Sequence, residues 1–241
     1  MEKTIENQIK YYFENNKIIS KEDLMIAIRN DFSNWSDNTI NAYLYLLKKR
    51  GVINNLSRGI YTLGKVETFN PQISEQLKKI AYRINKAYPF INYCVWDSSW
   101  LNDLMRHQPF KHFVIVEVEK IAVEQVFNDL NNNFSKVYIN PDDIFFDRYI
   151  SASEDVIIVK NLYSEAPTLK RNELTIPTLE KILVDMLIDK ELFAAQQGEL
   201  DFIFKSAFDK YDINEAKMKR YAARRNRETE LERIMNISLA K

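Results

Sequence analysis

The stretch from Ser36 to Leu63 decides the fold and reads SDNTINAYLYLLKKRGVINNLSRGIYTL. Its opening Ser-Asp-Asn cluster is typical of a helix N-cap, and Gly51 is typical of a helix end. Apolar residues between them recur at helical spacing, namely Ile40, Tyr43, Leu44 and Leu47. Two short strand-like runs then flank the turn residues 54–59, so a third helix and a hairpin are predicted.

Two more helices are predicted before this stretch. The first carries Ile5, Ile9, Tyr12 and Phe13, and the second follows Ser20, a capping residue, and carries Leu24 and Ile28. Three helices followed by a hairpin is the order of a winged helix-turn-helix domain, which we predict over residues 1–64. Residues 65–75 have few large apolar side chains and are predicted to be a linker.

Residues 76–241 are predicted to form a second domain of mixed α+β or α/β class, because strand-like and helix-like runs alternate in its first half. Such alternation favours parallel strand pairing. The predicted strands are 91–96, 112–119, 136–139 and 156–160, and the predicted helices are 76–87, 100–105 and 123–131. From 177 to 238 the apolar pattern is helical throughout, which predicts a helical C-terminal part.

The outer face of the third helix is the best candidate for DNA binding. Asparagine pairs bidentately with adenine, threonine or alanine can touch a thymine methyl group, and lysine suits phosphates. Arg58 is expected at the tip of the wing, within reach of the DNA backbone. The candidate DNA-binding residues are Asn38, Thr39, Asn41, Ala42, Tyr45, Lys48, Lys49 and Arg58.

Charge is distributed unevenly along the chain. Lysine and arginine together number 34, as do aspartate and glutamate, so the net charge is zero. Residues 1–65 hold ten basic and seven acidic residues, a net charge of +3, and the remainder therefore carries −3. We expect salt-sensitive DNA binding that needs a dimer or a second contact.

A second basic segment lies near the C-terminus, where residues 215–227 contain six basic residues and one acidic residue. Lys217, Arg220, Arg224 and Arg227 are predicted to share one helical face. The segment is interpreted as a second surface for a polyanion or an acidic partner, with a solvated face as the alternative. The candidate residues are Lys217, Arg220, Arg224, Arg225 and Arg227.

Metal, redox and membrane functions have little support in the composition. One cysteine, Cys94, and two histidines, His107 and His112, leave no zinc site and no disulfide framework within one chain. No stretch has the length and apolar character of a membrane helix, and the N-terminus lacks the apolar core of a signal peptide. We expect a cytoplasmic protein without cofactors.

Glu117 and Glu119 form the one pattern that suggests catalysis. They alternate on a predicted strand, so both project to one side and could hold Mg²⁺ as in nucleotidyltransferases. Such enzymes also need a Gly-Ser turn to grip phosphate, and the chain has Asp97-Ser98-Ser99 without glycine. We therefore expect no catalytic residues and predict that the chain is not an enzyme.

Several short motifs are spread over nearly the whole chain. They are Arg58-Gly59-Ile60-Tyr61, Trp96-Asp97-Ser98-Ser99-Trp100-Leu101-Asn102, His107-Gln108-Pro109, Val116-Glu117-Val118-Glu119-Lys120, Ser164-Glu165-Ala166-Pro167, Pro177-Thr178-Leu179-Glu180-Lys181-Ile182-Leu183-Val184-Asp185, Asp189-Lys190 and Arg220-Tyr221-Ala222-Ala223-Arg224-Arg225. In their order and spacing they resemble the AbiEi-type antitoxins of bacterial type IV toxin–antitoxin systems, which act in abortive infection against phage.

The resemblance implies a function in two parts. The winged helix would bind operator DNA, as inverted repeats in its own promoter, and repress transcription, with a dimer on the DNA. The second domain would be a nucleotidyltransferase-like fold without activity that neutralises a separately encoded nucleotidyltransferase toxin without a stable complex. Two alternatives stay open: an active Mg²⁺-dependent nucleotidyltransferase with a DNA-binding module, and a one-component transcription factor that senses a small molecule.

Overall fold

The computed structural model describes residues 5–14, 16–49, 51–63, 68–141 and 155–239. The protein is a mixed α/β protein that divides into two compact units. The first comprises Met1–Thr68 with Phe208–Asp212, and the second comprises Phe69–Ala207 with Ile213–Lys241. Lys65 and Arg50, which contribute to the predicted basic character of the N-terminal region, lie outside the described residues.

The first unit contains three helices and a three-stranded antiparallel sheet. Its elements are α1 (Ile5–Tyr12), β1 (Ile18–Ser20), α2 (Lys21–Asp31), α3 (Asp37–Lys49), β2 (Ile53–Ser57) and β3 (Ile60–Leu63). The strand order is β1-β3-β2, so the hairpin strand β3 lies in the middle. The three predicted helices and the hairpin are confirmed, and β1 is an addition that the sequence did not indicate.

Apolar faces of all three helices meet in one core beneath this sheet. Its buried members are Ile5, Ile9, Phe13, Ile19, Leu24, Ile28, Ile40, Leu44, Leu47, Ile53 and Tyr61. Tyr43, predicted on the inner stripe of α3, lies instead at the surface. It stacks on Trp35, with ring centroids 4.3 Å apart, and Trp35 stacks in turn on Phe32. Aromatic stacking therefore links Tyr43 of α3 to the segment that follows α2.

The second unit is built on a four-stranded sheet. Its first half contains α4 (Glu75–Ala87), β4 (Tyr93–Asp97), β5 (Phe113–Val118), α5 (Val123–Asn131), β6 (Val137–Ile139) and β7 (Val156–Asn161). The strand order is β4-β5-β7-β6. Strands β5, β7 and β6 are parallel as predicted, whereas β4 pairs antiparallel with β5. Both sheet faces are covered, because successive residues from Val114 to Val118 are buried.

A hairpin and five helices follow β7 among the described residues, and the segment Phe208–Asp212, which includes the end of one of these helices, belongs to the first unit. The hairpin strands and helices are β8 (Thr168–Arg171), β9 (Leu174–Pro177), α6 (Leu179–Ile188), α7 (Ala194–Gln197), α8 (Leu200–Lys210), α9 (Glu215–Arg224) and α10 (Glu228–Leu239). The helical prediction for 177–238 was thus right in type, but several breaks interrupt the helices. Asn172 supplies the left-handed residue of the β8–β9 turn, with φ of 55°.

Residues 69–75, the second part of the predicted linker, are grouped with the second unit. That unit begins at Phe69. The carbonyl oxygen of Pro71 accepts a hydrogen bond from Arg171, and that of Gln72 accepts one from the Trp100 indole. Backbone carbonyls, which a composition-based prediction ignores, therefore anchor these residues.

Candidate nucleic-acid interface

The outward face of α3 is polar and open to solvent. Asn38, Ala42 and Tyr45 are exposed, and Tyr45 reaches 66% exposure. Lys48 and Lys49 are exposed at the C-terminal end of the helix, while Thr39 and Asn41 are half-buried at its flanks. The seven side chains predicted on this helix therefore lie on its accessible side, opposite the buried Ile40, Leu44 and Leu47.

Local contacts fix the direction of α3. The Ser36 hydroxyl accepts a hydrogen bond from the Thr39 backbone amide, which caps the first turn. Arg29 at the end of α2 forms an ion pair with Asp37 at the start of α3. The Tyr12 hydroxyl donates to Asp31 at 2.7 Å, which ties α1 to the end of α2. These contacts orient the helix, and Thr39 is the one candidate DNA-binding residue of α3 that they involve.

The two asparagines on α3 differ in their local bonding. The Asn41 amide nitrogen donates to the Asp37 carbonyl oxygen at 2.8 Å, one turn back in the same helix. Asn38 is exposed, and its amide has no hydrogen-bond partner among the described residues. Because an amide must present both its donor and its acceptor to read adenine, Asn38 is the better placed of the two.

The β2–β3 turn presents the last predicted residue of this group. Arg58 and Gly59 form the turn between Ser57 and Ile60, and Arg58 is exposed. Gly59 has φ of +78°, a conformation that glycine adopts without steric cost. Its carbonyl oxygen accepts a hydrogen bond from the Lys21 backbone amide at 2.6 Å. The turn is thereby held against the start of α2, with the Arg58 side chain directed away from the core.

The C-terminal basic residues separate into an exposed group and a buried one. Arg220 and Arg224 are exposed on α9, and Lys217 is half-buried on the same face. Arg227 does not share that face, because α9 ends at Arg224. Arg225 is not a surface residue at all, since its side chain is 6% exposed and ion-paired with Asp185. The predicted surface of five basic residues is therefore smaller than expected.

A buried ionic network occupies the centre of the second unit. Lys181 on α6 is fully buried and lies between two carboxylates, Glu117 of β5 and Asp185 one turn further along α6, each at 2.5 Å. Beside it, Lys160 of β7 pairs with Asp189 just after α6. The i, i+4 spacing of Lys181 and Asp185 on a largely apolar helix could have indicated this pair from sequence, but Glu117 could not have been identified as its partner.

The network shifts the pKa values of its members in different directions. Burial acts to lower the pKa of Lys181, but the adjacent Asp185 and Glu117 outweigh it and raise that pKa well above its ordinary value. Burial raises the pKa of Glu117, and Lys181 offsets this only in part. For Asp185 burial is likewise the largest influence, yet Lys181, Lys160 and Arg225 together lower the pKa. The two carboxylates therefore favour the charged form of Lys181. Their own pKa values shift in opposite directions, upwards for Glu117 and downwards for Asp185.

The network extends through α9 to the surface. The Tyr221 hydroxyl donates to Asp185 at 2.9 Å, and Arg225 contacts both Asp185, at 3.1 Å, and Tyr221, at 2.8 Å. The Arg225 guanidinium lies over the Tyr163 ring, 3.6 Å from its centroid. A chain of polar contacts thus runs from the centre of β5 to an aromatic side chain that is partly open to solvent.

The residues weighed for catalysis are engaged in other contacts. Glu117 is bound to Lys181, and Glu119 accepts a hydrogen bond from Asn92. The Asp97 carboxylate accepts from the Ser99 amide, and the Ser98 hydroxyl accepts from the Phe113 amide, both at 2.8 Å. Cys94 is buried, and burial raises the pKa of its thiol. The Asp97 and Ser98 side chains therefore accept hydrogen bonds from nearby backbone amides and stabilise this turn.

The described residues show neither a metal-binding cluster nor a helix that could cross a membrane. No three or more histidine, cysteine, aspartate or glutamate side chains among them converge to hold a metal ion. None of the described helices combines the length and the apolar character that crossing a membrane requires.

Comparison with known proteins gives a family match and distant structural likenesses. Residues 39–241 match the sequence model of a family of unknown function, DUF6577. No curated protein matches the chain. Among solved structures, the chain is similar to the crystal structure of RV2827C protein from Mycobacterium tuberculosis, at 12% identity and a TM-score of 0.23, over 91% of this chain and 80% of that one. Such a TM-score is too low to indicate a shared fold.

Proposed function

The chain belongs to the family of unknown function DUF6577, and we propose that it acts as a DNA-binding transcriptional repressor. The observation that carries the proposal is the first unit. Its order of helix, strand, two helices and hairpin, with β3 central in the sheet, agrees with the order expected of a winged helix-turn-helix module and so supports the proposal. In such modules the second helix of the pair enters the major groove, and here that helix is α3.

The side chains on α3 suit this role. Asn38 lies in its first turn, where recognition helices contact base edges, and Tyr45 follows two turns later on the same face. Lys48 and Lys49 at its end, with Arg58 at the hairpin turn, are placed to contact phosphates on either side of the groove. Dimerisation on inverted repeats would double these contacts.

The experiment is a titration of the DNA upstream of the protein's own gene with the full chain. Lys49→Ala should weaken binding to all sequences about equally, because phosphate contacts carry no sequence information. Lys79→Ala is the matched control, since Lys79 is an exposed lysine on α4. Equal affinity of Lys49→Ala and wild type for every DNA tested would contradict the assignment.

A finer proposal concerns the second unit, for which the resemblance to AbiEi-type antitoxins is the support. We propose that this unit counters a nucleotidyltransferase toxin and does not itself transfer nucleotides. The engagement of Glu117 by Lys181 supports the second half of this proposal, because a carboxylate held by a buried lysine is poorly placed to bind Mg²⁺.

Two measurements test the antitoxin role. Co-expression with a nucleotidyltransferase encoded beside the gene should restore growth, and Lys49→Ala should still do so, because neutralisation would not depend on DNA binding. Incubation of the chain with labelled nucleoside triphosphates, Mg²⁺ and RNA should give no transfer. Transfer that Glu117→Gln abolishes would establish the alternative, an active nucleotidyltransferase with a DNA-binding module.

A further inference from the structure

A cleft of about 900 Å³ opens on the second unit, and none of the residues in the proposed DNA contact line it. Its wall is formed by the segment before β4, the residues that follow β5 and β7, and the β8–β9 hairpin. The volume is near the upper end of the range for small-molecule sites, roughly 300–1,000 Å³. A site of this size accommodates more than one nucleobase or a comparable planar group.

Two aromatic side chains line the cleft and remain accessible. Phe90 is 96% exposed and Tyr163 is 45% exposed. The Phe90 ring is left out of the core, so it is available to a planar ligand in the cleft. The Tyr163 ring has one face covered by the Arg225 guanidinium, which leaves its opposite face and edge as the accessible part.

The buried ionic network holds the Tyr163 ring in place. Arg225 is anchored by Asp185 and Tyr221, and Asp185 is in turn anchored by Lys181. A cation fixed by a buried carboxylate keeps the stacked ring from rotating, so the aromatic surface in the cleft is preorganised. Preorganisation lowers the entropic cost of binding a planar ligand on it.

The polar lining of the cleft matches nucleobases better than phosphates. It consists largely of amides and carboxylates, namely Asn85, Asn92, Asn172, Glu119, Glu165 and Glu173. Asn85 and Asn92 donate hydrogen bonds within the wall of the cleft, to Tyr93, Glu173 and Glu119. The Asn172 amide, the oxygens of the other two amides and the carboxylates offer the donors and acceptors that base edges require. Lys120 and Lys170 also line the cleft but do not outnumber the acids, so phosphate groups would not be drawn into it.

Positive charge lies at the rim instead. Arg224 donates to the hydroxyl oxygen of Ser164 at 3.2 Å and lies 3.7 Å from the Glu165 carboxylate, and both partners line the cleft. Arg220 and Lys217 continue the same face of α9 away from this contact. A basic helix face that ends at an aromatic, amide-lined cleft is the arrangement by which proteins hold a strand with its bases turned inward.

We infer that the second unit binds single-stranded nucleic acid, with unstacked bases on Tyr163 and Phe90 in the cleft and phosphates along Lys217, Arg220 and Arg224. This activity goes beyond the proposed duplex-DNA contact, which uses other residues. It also accounts for the basic face of α9 and for the buried charges that support Arg225.

Fluorescence anisotropy with labelled RNA and DNA strands of about 12 nucleotides and identical mixed sequence tests the inference on the full chain. Tyr163→Leu should weaken binding roughly 5- to 150-fold, the loss of one stacking contact, while Tyr163→Phe should bind like wild type. Phe90→Ala should weaken binding and Phe110→Ala should not, although Phe110 is also fully exposed in this unit. Arg224→Glu should weaken binding more than Arg233→Glu, an exposed arginine on α10.

Comparison of the two strands decides which nucleic acid the cleft prefers, because only RNA offers 2′-hydroxyl groups. Duplex affinity of the cleft variants should equal that of wild type, which separates this inference from the proposed repressor function. Equal strand affinity of wild type, Tyr163→Leu and Phe90→Ala would overturn it. So would loss of strand binding in Lys49→Ala alone, because the N-terminal unit would then hold the strand.

Discussion

Asn38 and Asn41 lie one turn apart on α3, yet the helix backbone competes for the amide of only one of them. Asn41 spends a donor on the Asp37 carbonyl oxygen, whereas Asn38 has no such bond among the described residues. Asn38→Ala should therefore cost about 1–3 kcal/mol of operator binding and relax specificity at one base pair. Asn41→Ala should cost less, and Asn236→Ala, an exposed asparagine on α10, nothing. Competition titrations against single-base operator variants measure all three, and the reverse ranking of Asn38 and Asn41 would refute the assignment.

A substitution of Lys181 tests the structural role of the buried ionic network. Lys181→Met keeps the volume and removes the charge, which leaves Glu117 and Asp185 buried without their shared cation. Breaking a buried ion pair in this way costs about 3–5 kcal/mol of stability. Lys78→Met is the matched control, because Lys78 pairs with Glu75 at the surface and such pairs contribute little. Urea unfolding measures both, and equal midpoints for the two variants would contradict the structural role of Lys181.

The loss in Lys181→Met should depend on pH. Burial already raises the pKa of Glu117, and removal of Lys181 raises it further. A carboxyl whose pKa is higher in the folded state stabilises the fold below its unfolded value and loses that contribution as pH rises. The deficit of the variant against wild type should therefore be largest at neutral pH and shrink towards about pH 5. Unfolding curves across this window check it, and a deficit that grows on acidification would show that Glu117 is not the group responsible.

Among the elements, the β2–β3 hairpin depends on one glycine. Gly59 adopts φ of +78°, so a Cβ there is strained even though the nearest side-chain atom lies 4.0 Å away. Gly59→Ala should cost roughly 1–2 kcal/mol of stability and displace Arg58, which would also weaken DNA binding. Gly198→Ala is the control, because a Cβ there meets nothing within 4 Å and the backbone is compatible with alanine. A smaller loss for Gly59→Ala than for Gly198→Ala would show that the hairpin tolerates a left-handed alanine.

Elements with their own periodicity or turn chemistry could be predicted from sequence. Helix α3 and strand β3 are examples, since each carries a clear apolar pattern and Gly59 marks the turn between β2 and β3. Strand β1 has only three residues and becomes a strand through its pairing with β3, so no local signal announces it. The β8–β9 hairpin was missed for a related reason, because Asn172 replaces the glycine that usually signals such a turn.

Some features of the candidate sites could likewise be predicted from the sequence and others could not. The outer face of α3 follows from helical spacing alone, whereas the burial of Arg225 depends on Asp185, which lies 40 residues earlier in the chain. Helical spacing placed Arg225 in a basic run but could not show which of those charges point inwards. The cleft near Tyr163 combines loops from distant parts of the second unit, so neither its existence nor its lining could be predicted from the sequence.

At the scale of the whole molecule, zero net charge limits how the protein can hold duplex DNA. The described cations on the proposed interface are Lys48, Lys49 and Arg58. Each neutralised phosphate contributes about −0.9 to the slope of log affinity against log salt, so three contacts give a slope near −3 for each bound N-terminal unit. A slope this shallow is characteristic of a modest electrostatic contribution, in which base contacts and dimerisation supply much of the affinity.

Salt titration of the full chain on its promoter DNA decides whether α9 also contacts the duplex. Lys49→Ala should reduce the magnitude of the slope by about 1 for each bound N-terminal unit, because one phosphate contact is lost. Arg220→Glu combined with Arg224→Glu should leave the slope unchanged, since these arginines are assigned to a single strand. If the double variant instead flattens the slope, α9 contacts the duplex, and the basic face of α9 would then serve the repressor function. Duplex and strand titrations on the same variants therefore distinguish two uses of one charged helix.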